Sequence, residues 1–310
     1  MKGIVIKTTG SRHQVETPEG KNYDCTIRGK LRTLGIKSTN PLAVGDWVEF
    51  IEDEKEKNGI ITDICDRKNY IVRKSVNLSK QTHVLAANID QAVMVVTVSQ
   101  PETPVEFIDR FLVTAEAYSI PAILIFNKMD LIDELLNDKL KWYLSIYESI
   151  GYKCIKTSVK DNLHIDQVKS HLQSKISLIA GLSGVGKSSL INRVEPRLDL
   201  KISEISNSHQ SGKHTTTFSE MFKLSFGGFI IDTPGLRSSG TFDMKKEDVS
   251  HYFPEFFKLS SQCQFYNCTH IHEPKCAVVQ ALENGTLSWT RYKSYLSICE
   301  GNDDKYRLSE

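Results

Sequence analysis

The stretch Gly181-Leu182-Ser183-Gly184-Val185-Gly186-Lys187-Ser188-Ser189 limits the possible folds of this chain more than any other. Its spacing, Gly, four residues, Gly, Lys, Ser, is that of a phosphate-binding loop, which has meaning only between a strand and a helix. Both flanks fit. Lys175 to Ala180 (KISLIA) reads as a short buried strand, and Ser189 to Val194 (SLINRV) as the first turns of a helix. The glycines let successive backbone N–H groups turn onto phosphate oxygens, and the helix N-terminus adds partial positive charge. Lys187 is expected to neutralise the β- and γ-phosphates, and Ser188 to hold Mg²⁺ through its hydroxyl.

At 310 residues the chain is long for one core, so two or three domains are expected. A net charge of +1 argues neither for nor against a nucleic-acid partner. No apolar run approaches the roughly 18 residues of a membrane helix, and the N-terminus MKGIVIKTTG is too short and polar for a secretory signal. Three of the seven cysteines crowd into residues 263–276. An odd, clustered set without an export signal suggests reduced thiols and a metal site, and a cytoplasmic protein without membrane contact.

Residues 1–68 read as all-β. Ile4-Val5-Ile6, His13-Gln14-Val15, Tyr23 to Ile27, Trp47 to Phe50 and Gly59 to Ile64 are short alternating runs separated by turn residues. Five such strands suit a small barrel of the oligonucleotide-binding (OB) type. Arg12, Lys21, Arg28, Lys30, Arg32 and Lys37 make it basic. That suits RNA phosphates, and equally a solvated face with no ligand.

Residues 69–240 alternate strands with helices after a polar stretch at 69–87 that reads as a linker. Gln91 to Val98 and Ala122 to Phe126 are apolar runs of the kind buried on both faces of a parallel sheet. Asp133 to Ile150 is expected to be an amphipathic helix with Leu135, Leu136, Leu140, Leu144 and Tyr147 on one side. Met221 to Ser225 and Phe229 to Asp232 pair through Gly227-Gly228. The alternation predicts a doubly wound α/β sheet. Residues 241–310 read as helices (Glu247 to Lys258, Ala277 to Asn284, Ser288 to Glu300) around a cysteine-bearing loop, with Gly285 as a cap. Cys25, Cys65, Cys154 and Cys299 read as small core residues.

Asn127-Lys128-Met129-Asp130 follows the AILIF strand. In a nucleotide-binding sheet, Asn-Lys-x-Asp selects guanine. The Asp130 carboxylate accepts from N1–H and the 2-amino group, which adenine cannot offer. Lys128 packs along the base, and Asn127 ties the loop to neighbouring backbone. This argues against an ATPase or kinase. Ser158-Val159-Lys160 follows the next strand, where a backbone N–H would meet O6 and Lys160 would cover the ring. Asp232-Thr233-Pro234-Gly235 follows the last strand, with Asp232 reaching Mg²⁺ through water and the Gly235 N–H sensing the γ-phosphate. Cys263, Cys268, His270 and Cys276 read as C-x4-C-x-H-x5-C, three thiolates and an imidazole fit for one structural Zn²⁺.

The order of these motifs is shuffled. A conventional small GTPase runs phosphate loop, switch Thr, DxxG, NKxD, then the Ser-Ala-Lys type motif. Here the last two come first, which implies a circular permutation of the same sheet. With a basic β-domain in front and a Cys/His cluster behind, the whole chain resembles the ribosome-small-subunit-dependent GTPase A (RsgA) family.

The resemblance implies GTP hydrolysis on the small (30S) ribosomal subunit during its late maturation, contact with 16S rRNA, zinc in the Cys/His motif, and a monomer. It also implies that Gly212 to Thr217 is switch I, with Thr216 or Thr217 reaching Mg²⁺ and the γ-phosphate. His214 is implied as the residue that positions water. Leu236 stands where Ras-type enzymes place a water-orienting Gln, so unaided hydrolysis is expected to be slow, with the subunit as activator. Two other readings remain at this point. One is a signalling or transport GTPase with protein-binding flanks, and the other is an RNA-binding zinc protein with a vestigial pocket.

Overall fold

The computed structural model describes residues 1–27, 41–53, 58–74, 82–200, 220–232 and 244–301. The strands are β1 (Lys2–Thr8), β2 (His13–Glu16), β3 (Asn22–Ile27), β4 (Trp47–Asp53), β5 (Asn58–Ile64), β6 (Tyr70–Lys74) and β7 (Thr82–Ala87). They continue with β8 (Gln91–Val96), β9 (Ala122–Phe126), β10 (Lys153–Lys156), β11 (Ile176–Ala180), β12 (Glu220–Lys223) and β13 (Phe229–Asp232). The α-helices are α1 (Val105–Ala117), α2 (Glu134–Ile150), α3 (Ile165–Leu172), α4 (Lys187–Val194), α5 (Pro254–Ser260), α6 (Ala277–Glu283) and α7 (Trp289–Glu300). Among the described residues, no helix is long and apolar enough to cross a membrane. The chain forms two compact units: Met1–Val93 with Ile165–Ala180 and Lys187–Arg237, and Met94–His164 with Gly181–Gly186 and Ser238–Glu310.

In the first unit, β1 to β5 close into a barrel. β1 pairs antiparallel with β2 and β4, β2 with β3, and β4 with β5, while β3 joins β5 in parallel. Closure leaves the barrel without a free edge. Alternation sends Val5, Val15, Cys25, Val48, Phe50 and Ile61 inward as one core.

The stretch at 69–87, expected as a linker, is instead a two-stranded antiparallel sheet of β6 and β7. Exposed Tyr70 beside buried Ile71 shows how outward polar positions hid the strand period. Ala86 and Ala87 are fully buried, and Val44 bridges Ala86.

The same unit carries β11 and β13 in parallel, with β12 antiparallel to β13. The outer edge of β12 meets β1 at Lys7 and Glu220, whose side chains pair at 2.9 Å.

In the second unit, β9 and β10 run parallel in register from Ile123 opposite Lys153 to Phe126 opposite Lys156. Met94, Val96, Leu124 and Phe126 pack with Ile108 and Leu112 of α1 and with Leu140, Tyr143 and Tyr147 of α2. α2 starts on Asp133, whose side chain accepts from Leu136 N–H at 2.9 Å, and ends on left-handed Gly151. Leu135, expected on the inner side, is 87% exposed. It lies in the first turn, where Glu134 and Asn137 also face water, and the buried stripe starts only at Leu140.

The helix expected over Glu247 to Lys258 is broken. A 3-10 turn covers Lys246–Tyr252, and α5 begins at Pro254. Proline has no N–H to bond the preceding turn, so it opens a helix rather than continuing one. The break turns Phe253 and Phe256 inward, where they stack with centroids 4.9 Å apart against Tyr295. Gly285, at φ +74°, follows α6 as expected of a cap. Cys25 and Cys299 are core residues, whereas Cys65 and Cys154 are half-buried.

Candidate nucleotide site and metal centre

The phosphate-loop sequence runs from the end of β11 to the start of α4. Two of its glycines are required by close approach. Gly181 has φ +142°, and a Cβ there would lie 2.3 Å from Val95 O. Gly186 has φ +91°, and a Cβ there would lie 2.5 Å from Asn127 Nδ2. Between them Ser183 and Gly184 are exposed, Leu182 is half-buried, and Val185 is sealed in the interior.

The Asn127-Lys128-Met129-Asp130 motif, expected to read the base, sits on the other side of that contact. β9 ends at Phe126, and Asn127 N–H donates to Val96 O at 2.8 Å. Asn127 is 3% exposed. Its Nδ2 donates to Val185 O at 2.9 Å, and its Oδ1 accepts from Thr157 Oγ1 at 3.0 Å. This one amide therefore ties the base loop to the phosphate loop and to the end of β10.

Lys128 is left-handed, φ +63°, and Nζ donates to Gln100 O at 2.5 Å. Met129 N–H donates to Thr157 O at 3.0 Å. Asp130 is half-buried, and its Oδ1 accepts from Ser158 Oγ at 2.8 Å. Ser158 is fully buried, Val159 half-buried and Lys160 exposed.

The second unit thus gathers Gly181 to Gly186, Asn127 to Asp130 and Ser158 to Lys160. Thr157 and Gln100 belong to the same web, although no sequence motif flagged them. Their partners lie 30 and 28 residues away, so only tertiary structure reveals them.

The first unit carries Lys187, Ser188, Ser189 and Asp232. Lys187 and Ser188 open α4 and are 7% and 6% exposed, while Ser189 is half-buried. Lys187 borders an otherwise apolar cavity whose lining includes Ile179, Ile191, Phe222 and Ile231. Asp232 ends β13, its backbone opposite Ile179 and Glu220. His214, Thr216, Thr217, Gly235 and Leu236 lie outside the described residues, as do Arg28, Lys30, Arg32 and Lys37.

The candidate metal centre is compact. The ligand atoms of Cys263, Cys268, His270 and Cys276 all lie within 4.8 Å of one another. His270 Nδ1 is 3.6 Å from Cys263 Sγ and 3.3 Å from Cys276 Sγ, and those two sulfurs are 4.0 Å apart. A tetrahedron with Zn–S bonds of about 2.3 Å has edges of about 3.8 Å, so this cage fits zinc closely.

Burial lowers the His270 pKa and so favours the neutral imidazole, the form that ligates metal. Burial pushes the Cys268 thiol up to about 12, so its thiolate requires a cation. Tyr292 OH donates to His270 O at 2.8 Å and Tyr295 OH to Thr269 O at 2.5 Å, fixing the loop to α7. Glu273 accepts from Thr269 N–H and Oγ1 at 2.7 and 2.6 Å, and from Ile271 N–H at 3.1 Å. Its partial burial raises its pKa, but these bonds outweigh that and hold the carboxyl at about 2.

The family model for the RsgA GTPase matches residues 64–242, and that for the RsgA N-terminal domain matches residues 2–61. A "Small ribosomal subunit biogenesis GTPase RsgA" of Christiangramia forsetii is 54% identical, over 100% of this chain and 99% of its own length. A Bacteroides thetaiotaomicron protein, "Small ribosomal subunit biogenesis GTPase RsgA 2", is 52% identical over 100% of both.

Among solved structures, YjeQ from Thermotoga maritima has a TM-score of 0.78 and 37% identity, covering 96% of this chain and 97% of its own. YloQ, described as a circularly permuted GTPase, has a TM-score of 0.76 and 34% identity, covering 98% and 95%. The architecture is therefore an OB-type barrel, a circularly permuted GTPase fold and a helical Cys/His module.

Proposed function

Because this chain belongs to the RsgA GTPase family, we propose that it is a GTP hydrolase acting in the biogenesis of the small ribosomal subunit, as the names of its relatives state for them. The observation that carries the site assignment is the Asn127 amide, which joins the base loop to Val185 of the phosphate loop. Asp130, steadied by Ser158, reads the Watson–Crick edge of guanine. Lys128 and Lys160 flank the ring, and the Ser158-Val159-Lys160 backbone meets O6. The N–H groups of Gly181 to Ser189 wrap the phosphates.

Lys187 follows Gly186 directly in the chain and neutralises the β- and γ-phosphates. Bound Mg²⁺, held by the Ser188 hydroxyl, by Asp232 through water and by Thr216 or Thr217, would spread the charge that develops on transfer. His214 positions the attacking water, and the Gly235 N–H senses the γ-phosphate. Leu236 cannot orient a water, so hydrolysis is slow until the 30S subunit orders switch I.

The basic barrel contacts 16S rRNA, and one zinc per chain holds the C-terminal module. The protein acts as a monomer. The test is GTP hydrolysis by the purified protein with and without purified 30S subunits. Stimulation by the subunit supports the reading. An unchanged rate points instead to a GTPase whose flanking domains serve other partners.

A further inference from the structure

We propose that the loop at residues 97–103, between β8 and α1, forms a further wall of the guanine pocket, with Thr103 as its positioning residue. No motif covers this loop, yet it touches both recognition elements. Gln100 O accepts from Lys128 Nζ at 2.5 Å. Pro101 Cδ lies 3.3 Å from where a Cβ on Gly184 would sit. Lys128 Cε lies 3.9 Å from the corresponding point on Gly186. The Lys128 stem is thus stretched between the phosphate loop and the Gln100 carbonyl, which defines the surface on which a purine ring rests.

The loop is braced for this task. Thr97 N–H donates to Thr103 Oγ1 at 3.0 Å, Thr103 N–H donates to Thr97 O at 2.9 Å, and Thr97 Oγ1 donates to Pro101 O at 2.5 Å. Tyr143 OH of α2 donates to Thr103 O at 2.8 Å. Thr97 and Thr103 are 1% and 0% exposed. These bonds hold Gln100 at φ +53°, a left-handed conformation that a non-glycine residue keeps only when its surroundings enforce it.

A lysine ammonium on a flexible stem has many rotamers, and fixing its end on a carbonyl settles that entropy before the nucleotide arrives. Thr103 acts through Gln100 and Lys128 and touches no nucleotide itself.

The inference rests on the reading of this site as a guanine pocket. It is tested on the zinc-loaded full chain by stopped-flow release of a fluorescent GDP (mant-GDP). Thr103→Val orphans the Thr97 N–H and is expected to speed release roughly fivefold, the scale of one hydrogen bond. The change should be confined to release and KM. Thr103→Ser keeps the hydroxyl and should release at the wild-type rate. With Lys128→Met already present, Thr103→Val should add nothing, since both act on one contact.

Equal release from wild type and Thr103→Val overturns the proposal. So does a Ser variant as fast as the Val variant, or full additivity with Lys128→Met. A wild-type chain that fails to bind mant-GDP overturns the guanine reading itself, which separates the two failures.

Discussion

Arg291 Nη1 of α7 donates to Asp109 Oδ1 of α1 at 2.8 Å, and the two side chains are 1% and 0% exposed. The rest of the guanidinium takes Glu255 in a fork at 2.7 and 3.1 Å and lies 4.5 Å over the Phe253 ring. Tyr147 OH of α2 donates to the same Asp109 oxygen at 3.0 Å. α1 therefore has two partners. Ile108 and Leu112 pack into the sheet core, while Val113 joins the core of the Cys/His module.

Arg291→Met leaves the Asp109 charge buried without a counter-charge and should cost about 3–5 kcal/mol in chemical denaturation at fixed zinc. Asp109→Leu combined with Arg291→Met removes both charges and should recover most of that loss. A double variant as unstable as the single would show that the pair contributes more than the cancellation of its own burial.

On the proposed reading of the site, Asp130 sets the base preference. Asp130→Asn replaces an acceptor with a donor opposite N1–H and the 2-amino group. GTP should bind at least tenfold more weakly, with a gain for xanthosine triphosphate, because a mispaired buried polar group carries its full desolvation cost. Competition binding with the two nucleotides measures the switch.

His214→Ala should lower kcat on the 30S subunit by about a hundredfold, the low end for a residue that positions or activates water. GTP affinity should stay nearly constant, because the base and phosphate contacts are elsewhere. Single-turnover hydrolysis beside equilibrium binding separates the two effects.

Metal analysis should find one zinc per chain. Chelation should melt the module around Phe253, Phe256 and Tyr295, because α5 and α6 are only seven residues each and the Cys/His loop lies between them. Cys276→Ser should do the same. Near-ultraviolet circular dichroism with and without chelator reports it.

Glu195 supplies a pH dependence. Its burial raises its pKa, but hydrogen bonds from Ser225 and from Arg197 N–H outweigh that and lower it. A lowered folded pKa means that its stabilisation is fully present above the ordinary value near 4.5 and fades as pH falls through the folded value. Glu195→Gln should therefore destabilise the chain at pH 7, and the gap to wild type should narrow towards pH 4. A gap that stays constant in denaturant midpoints would show that the carboxylate charge is not what matters.

The amino-acid sequence by itself determined the pieces whose chemistry is local. A glycine-rich turn between strand and helix, an Asn-Lys-x-Asp turn after an apolar strand, and three cysteines and a histidine within 14 residues are legible in short stretches of chain. Their shuffled order alone implied the permuted sheet. Tertiary structure decided whatever depends on a distant partner. β6 becomes a strand because β7 lies opposite, and Pro254 separates two helical segments whose hydrophobic period reads as one. Leu135 fits an apolar stripe by spacing, but in the first turn of α2 it is Leu136 that packs against the sheet core while Leu135 faces water. Thr157 reaches Asn127, and Arg291 reaches Asp109, only after the strands and helices between them have packed. A hydrogen bond or an ion pair is chosen by distance in space, and that distance exists only in the folded chain.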